Sequence, residues 1–171
     1  MSRLEGVSDR DAGLGAKIAF FFTKRKLAQM TGLETAEMLE PLRMYAHIPR
    51  LLNTYGRLEQ AESKLDILTP RVRALAELKS ATTVRCEYCI DLGSQIAREW
   101  GISDEELRSM ADYRNATCFS AVDRLVLEYA TAISRTPVEV SDELFDALRA
   151  RFNIALGIGS SGFSEGRVCA R

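Results

Sequence analysis

The chain has 171 residues, of which 46% are hydrophobic and 27% charged. That is enough for one domain with a sizeable core, with a soluble globular composition. Twenty-three basic and 24 acidic residues give a net charge of −1; this balance predicts neither nucleic acid nor an anionic membrane as partner.

A first helix is predicted over residues 15–30, with Gly32 just past its end as a left-handed cap. Its run "IAFFF" is far shorter than the ~20 residues of a membrane span. No leader pattern is recognised, so the expected location is the cytoplasm. A second helix is expected over 36–46, stopped by Pro49, and a third over 50–64. Thr69-Pro70 opens a fourth, with Thr as N-cap and Pro at the first position. A fifth carries Cys86 and Cys89 and ends at Trp100, before Gly101. "SDEE" at 103–106 is a capping box that starts a sixth, running to about Tyr113. A seventh covers 120–134 and is broken by Pro137; an eighth covers 142–152. No stretch alternates like a strand, so the fold class is all-α, a helical bundle.

The end of the chain differs in kind. "NIALGIGSSGFSEG" holds four of the eleven glycines and reads as a loop. "GIGSSG" follows no strand and lacks the Lys-Ser/Thr ending of a phosphate loop, so a tail, flexible or covered by a partner, is expected instead. The organisation predicted is therefore a single domain over 1–171, with an N-terminal helix region at 1–35 and a Gly-rich tail at 153–171.

Cys86 and Cys89 stand out by spacing among four cysteines. In the cytosol thiols are kept reduced, so a structural disulfide framework is not implied. A structural zinc needs four ligands, and the chain has one His and no second close cysteine pair; no metal and no cofactor is expected. Cys118 and Cys169 stand alone and are expected as small buried hydrophobes. Two thiols three apart on a helix share a face, so one can be oxidised and the other can resolve it. Spacing alone leaves redox chemistry and plain packing on equal terms.

The surroundings add to this. "LAELKSATTVRCEYCIDLGSQIAREWGISDEEL", from Leu75 to Leu107, resembles the core of the carboxymuconolactone decarboxylase and alkylhydroperoxidase AhpD family. The matching features are Cys86-x-x-Cys89 with Tyr88 before the second Cys, Ile90-Asp91, and the Gly101 to Leu107 stretch. "AHIPRLLNTY" resembles an upstream His-x-Pro element, and "VDRLVLEYATAISRTPVEVSDELFDALRARF" the downstream helices. The resemblance implies an all-α bundle built round a helical hairpin carrying the cysteines. It implies a homo-oligomer, commonly a trimer or hexamer. For members with both cysteines it implies reduction of small hydroperoxides, supported by a thiol or dithiol reductant. On this reading Cys89 attacks peroxide and Cys86 resolves.

Two positions depart from the peroxidase pattern. Its relay His, four residues after the second Cys, is Gly93 here; its Glu, twelve before the first Cys, is Ala74. Glu77 lies one turn beyond Ala74 on nearly the same face and is the preferred substitute base, against a plain ion pair with Arg73. Asp91 and His47 are further relay candidates, and Tyr88 is expected as a wall of the site. A non-catalytic redox sensor, or a pocket enzyme related to the lactone decarboxylases, are the competing functions.

Overall fold

The computed structural model describes residues 5–32, 39–64 and 68–152. The Gly-rich tail with Cys169, and the expected start of the second helix at Ala36, lie outside them. Among the described residues the structure is all-helical: α1 Leu14–Thr31, α2 Glu40–Tyr45, α3 Pro49–Glu62, α4 Pro70–Val84, α5 Glu87–Glu99, α6 Asp104–Ser109, α7 Ala121–Ile133 and α8 Asp142–Arg151, with a 3₁₀ turn at Met110–Asp112. No helix among them is long and apolar enough to cross a membrane. The chain divides into two compact units, Met1–Lys64 and Leu65–Arg171.

In the first unit, α1 ends at Gly32 in the left-handed region, as its sequence predicts. Pro49 does not stop α2, which already ends at Tyr45; it is the first residue of α3. Proline fits there because the first helical N–H has no intrahelical partner to lose. A small core of Ala12, Phe20 and Leu39 has Arg43 beside it. The guanidinium of Arg43 donates to the Val7 carbonyl at 2.9 Å, pairs with Asp9 at 2.7 Å and lies over the Phe20 ring. Gly6 is required by close approach: a Cβ there would come within 2.5 Å of Arg43 Cβ.

The second unit is built round α4, which buries eight residues, among them Ala74, Leu75 and Leu78. α5 and α7 pack on it and α8 packs on α7. α4 is apolar nearly all round, the pattern of a central helix. α5 buries only Leu92 and Ala97 and leaves the opposite face in solvent, so it is an amphipathic flanking helix. Thr69 caps α4 by accepting from the Val72 amide. Ser103 and Glu106 form the predicted capping box, and Ser120 with Asp123 forms a second one at the start of α7.

The turn between α4 and α5 is the tightest joint in the unit. Arg85 adopts φ 57°, ψ 42° and ends α4. The Cys86 amide then donates back to the Ala81 carbonyl at 3.0 Å, the long bond of a Schellman ending whose left-handed position is usually glycine. Only Arg85 and Cys86 separate the helices, so α4 and α5 form a helical hairpin with no slack.

Candidate active site

Cys86 and Cys89 are joined in a disulfide, with Cα atoms 5.3 Å apart. They do not both lie within the helix, as the spacing suggested. Cys86 is the N-cap of α5, in extended backbone, and its Sγ accepts from the Cys89 amide at 3.3 Å. Its carbonyl takes the first intrahelical bond, from the Ile90 amide at 2.9 Å. The N-cap occupies the same face as the third helical residue, so the sulfurs meet although only Cys89 is helical. A sulfur at a helix N-terminus faces unsatisfied amides and the positive end of the macrodipole, which stabilise a thiolate there.

Cys89 opens onto a pocket between the two arms of the hairpin. α4 contributes Ala74, Glu77 and Leu78; α5 contributes Cys89, Gly93, Ile96 and Ala97, with Trp100 at its end. The space inside takes about one water molecule. Cys86, Tyr88 and Asp91 are not among its lining residues. Tyr88 is half-buried and Asp91 is exposed on the outer face of α5.

Among the lining residues, Glu77 carries the carboxylate. Arg73 Nε donates to its Oε1 at 2.6 Å, an i,i+4 pair with both side chains mostly buried. The plain ion-pair reading and the placement beside Cys89 are therefore both present. The relay positions themselves are apolar: Ala74 is buried, and a Cβ added at Gly93 would meet Leu78 Cδ1 at 3.5 Å, ordinary contact. His47 belongs to the first unit, where its Nε2 lies 2.9 Å from the Glu5 carbonyl oxygen.

Leu78, Ile96 and Trp100 are pocket residues that the motif did not single out. Their signal was in the sequence. Residues 93, 96, 97 and 100 follow Cys89 at 4, 7, 8 and 11 positions, one helical face, and 77 and 78 follow Ala74 at 3 and 4. Cys118 is half-buried and packs against the core beside α7. Among the described residues no group of three or more His, Cys, Asp or Glu side chains could hold a metal.

The described residues form an all-α protein whose helical hairpin carries a Cys-x-x-Cys pair at the start of its second arm. Residues 49–132 match the model of the carboxymuconolactone decarboxylase family, the family that the sequence around the cysteine pair resembles. YnjA of Escherichia coli strain K12, described as uncharacterized, is 39% identical over 121 residues, covering 68% of this chain; the chain spans 65% of that relative's length. Among solved structures, the debrominase Bmp8 is similar in fold, both free and as a cysteine-to-alanine variant in complex with 2,3,4-tribromopyrrole. Each has a TM-score of 0.73 and covers 95% of this chain, at 18% and 16% identity, and 83% and 82% of the solved chains are covered.

Proposed function

We propose that the protein is a thiol-dependent peroxidase that reduces small hydroperoxides through a Cys86/Cys89 dithiol–disulfide cycle. One observation carries this reading. Cys89 opens onto a narrow, largely apolar pocket that also holds a carboxylate, while Cys86 stands outside it within bonding distance.

The cycle starts from the dithiol. Glu77 takes the Cys89 proton, as a general base. The thiolate attacks the terminal peroxide oxygen: an S–O bond forms, the O–O bond breaks, and the alkoxide leaves with a proton as alcohol. Cys89 is now a sulfenic acid. The Cys86 thiolate, stabilised by the start of α5, attacks the Cys89 sulfur; the S–S bond forms and hydroxide leaves as water. An external thiol or dithiol, in the cytoplasm by this proposal, reduces the disulfide by exchange. The sum is ROOH plus two thiols giving ROH, water and a disulfide.

The test is hydroperoxide consumption with dithiothreitol as reductant. Cys89→Ser should reduce consumption to background. With the protein pre-reduced and the reductant removed, Cys86→Ser should consume about one equivalent and stop, with the sulfenic acid on Cys89 seen by mass spectrometry. A Cys89→Ser protein that turns over like the parent ends the proposal. A parent protein that forms the disulfide once but never turns over is an oxidant sensor.

The debrominase likeness favours a second reading, a pocket enzyme on a small ring compound. The narrowness of the pocket beside Cys89 favours a small hydroperoxide over a brominated pyrrole ring and ranks the peroxidase first. A homo-oligomer is part of the proposal. Its support is the exposed apolar set Leu14, Ile18, Phe21 and Phe22 on α1, more than a lone surface hydrophobe. A sedimentation mass of one chain at micromolar concentration would contradict it.

A further inference from the structure

We infer that Trp100 sets the size limit of this pocket. On this view the substrates are hydrogen peroxide and hydroperoxides whose –OOH sits at an unbranched chain end, with tertiary hydroperoxides excluded. The inference rests on the peroxidase reading and deepens it.

The argument is geometric. A thiolate must approach the peroxide oxygen to about 3–3.5 Å before the O–O bond can break. The space beside Cys89 accommodates a group the size of a water molecule. That is enough for the terminal –OH of a hydroperoxide, with a slim carbon behind it. A carbon bearing three substituents would have to overlap the walls. Those walls are fixed. Leu78 is buried in the core of α4. Trp100 terminates α5: its amide donates to the carbonyls of Ile96 and Ala97, at 3.2 and 3.1 Å, and its side chain packs against the central core. It is the largest side chain lining the pocket and sits at its end, eleven residues along the same face from Cys89. Gly93 stands at the middle of that face with no side chain, so the space that remains is what Gly93 leaves open and Trp100 closes.

The experiment compares kcat/KM for hydrogen peroxide and cumene hydroperoxide, with dithiothreitol as reductant. The parent should prefer hydrogen peroxide by roughly 10²-fold, the scale of rejection by an apolar wall. Trp100→Ala should narrow that ratio about tenfold or more, and Trp100→Phe should keep it within about threefold. Ile96→Ala is the second route if Trp100→Ala does not fold. An activity-independent readout uses Cys86→Ser, in which Cys89 cannot close the disulfide. Methyl methanethiosulfonate should label Cys89 much faster than benzyl methanethiosulfonate, followed on the Cys89 peptide by mass spectrometry, and adding Trp100→Ala should close the gap. A parent that reduces both peroxides equally overturns the size limit and leaves the peroxidase reading standing. A selectivity unchanged in both Trp100→Ala and Ile96→Ala overturns the role of these walls. No consumption of either peroxide overturns the substrate assignment together with the peroxidase reading, and the labelling ratio then reports the gate alone.

Discussion

Arg71 and Arg73 stand two residues apart at the start of α4 and hold carboxylates in opposite ways. Arg71 donates to Glu106 and, at 3.0 and 3.3 Å, to Asp123, and also reaches the Gly101 carbonyl at 3.3 Å. Both carboxylates are buried, and both already complete capping boxes, at α6 and α7. One guanidinium thus ties two helix starts to a third helix. Arg73 pairs with Glu77 on its own helix, and Glu77 borders open space beside Cys89. The two pairs thus differ in what else the carboxylate does: those held by Arg71 also complete capping boxes, whereas Glu77 borders the pocket that Cys89 lines.

The comparison breaks most visibly at Arg71. Arg71→Ala leaves two buried carboxylates without their cation. The expected loss is about 2–4 kcal/mol by urea titration, below the range for a fully buried pair because a third of the Arg71 side chain meets solvent. Activity should fall only as the fold does. The pH dependence follows the same residues. Burial raises the carboxyl pKa of Glu106 and Asp123, but the Arg71 guanidinium and the serine amide and hydroxyl outweigh it, and both end below the ordinary carboxylate range. A carboxyl depressed in the folded state contributes stability above its unfolded pKa of ~4 and loses it as pH falls through the folded value. The parent should therefore lose stability steadily below about pH 4 to 5, and Arg71→Ala should show a flatter acid slope in the same titration.

Glu77→Gln should do the reverse. Peroxide kcat/KM at pH 7 should drop roughly 10²-fold, the usual scale for a general base. Stability should fall by about 1–2 kcal/mol, since the amide can still accept from Arg73 while the mostly buried pair loses one charge. The lost rate should return as pH rises towards the ~8.5 of an unassisted thiol. An equal loss of stability and rate would instead class Glu77 with Glu106. Arg73→Gln releases the base from its cation and should alter the neutral-pH rate only a few-fold, well below the full general-base scale; a collapse like that of Arg71→Ala would erase the distinction. Smallest of all, Gly93→Ala should raise stability by up to about 1 kcal/mol, since a mid-helix glycine gains a side chain in ordinary contact with Leu78.

The helices were legible because their ends carry local chemistry: Thr69-Pro70, the Ser103–Glu106 box, Gly32 and Gly101. The cysteine pair was legible by spacing and by its flanking residues. That spacing could not place Cys86 outside the helix, since the N-cap and an interior residue stand in the same relation to a partner three positions on. Pro49 was ambiguous for a similar reason, because proline both follows one helix and begins another. The Arg71 clamp was hidden by distance along the chain: its partners lie 35 and 52 residues away, and nothing in a single sequence pairs them. Trp100 ends a helix and is also a wall; local signals report where a helix stops, while a wall is defined by the helix facing it.

The joint at Arg85 and Cys86 acts as a timing pin. Cys86 closes α4 with its amide and opens α5 with its carbonyl and sulfur, so the second arm of the hairpin can start at only one angle. One residue inserted before Cys86 would turn α5 by about 100° and advance it about 1.5 Å. The Cys-x-x-Cys string and every side chain of the pocket would survive in the text of the sequence. Cys89 would point elsewhere, and Glu77 would face a different residue. The hairpin therefore depends on a phase as much as on a motif, and a deletion or insertion at this hinge would take Cys89 out of the pocket while leaving the sequence signature intact.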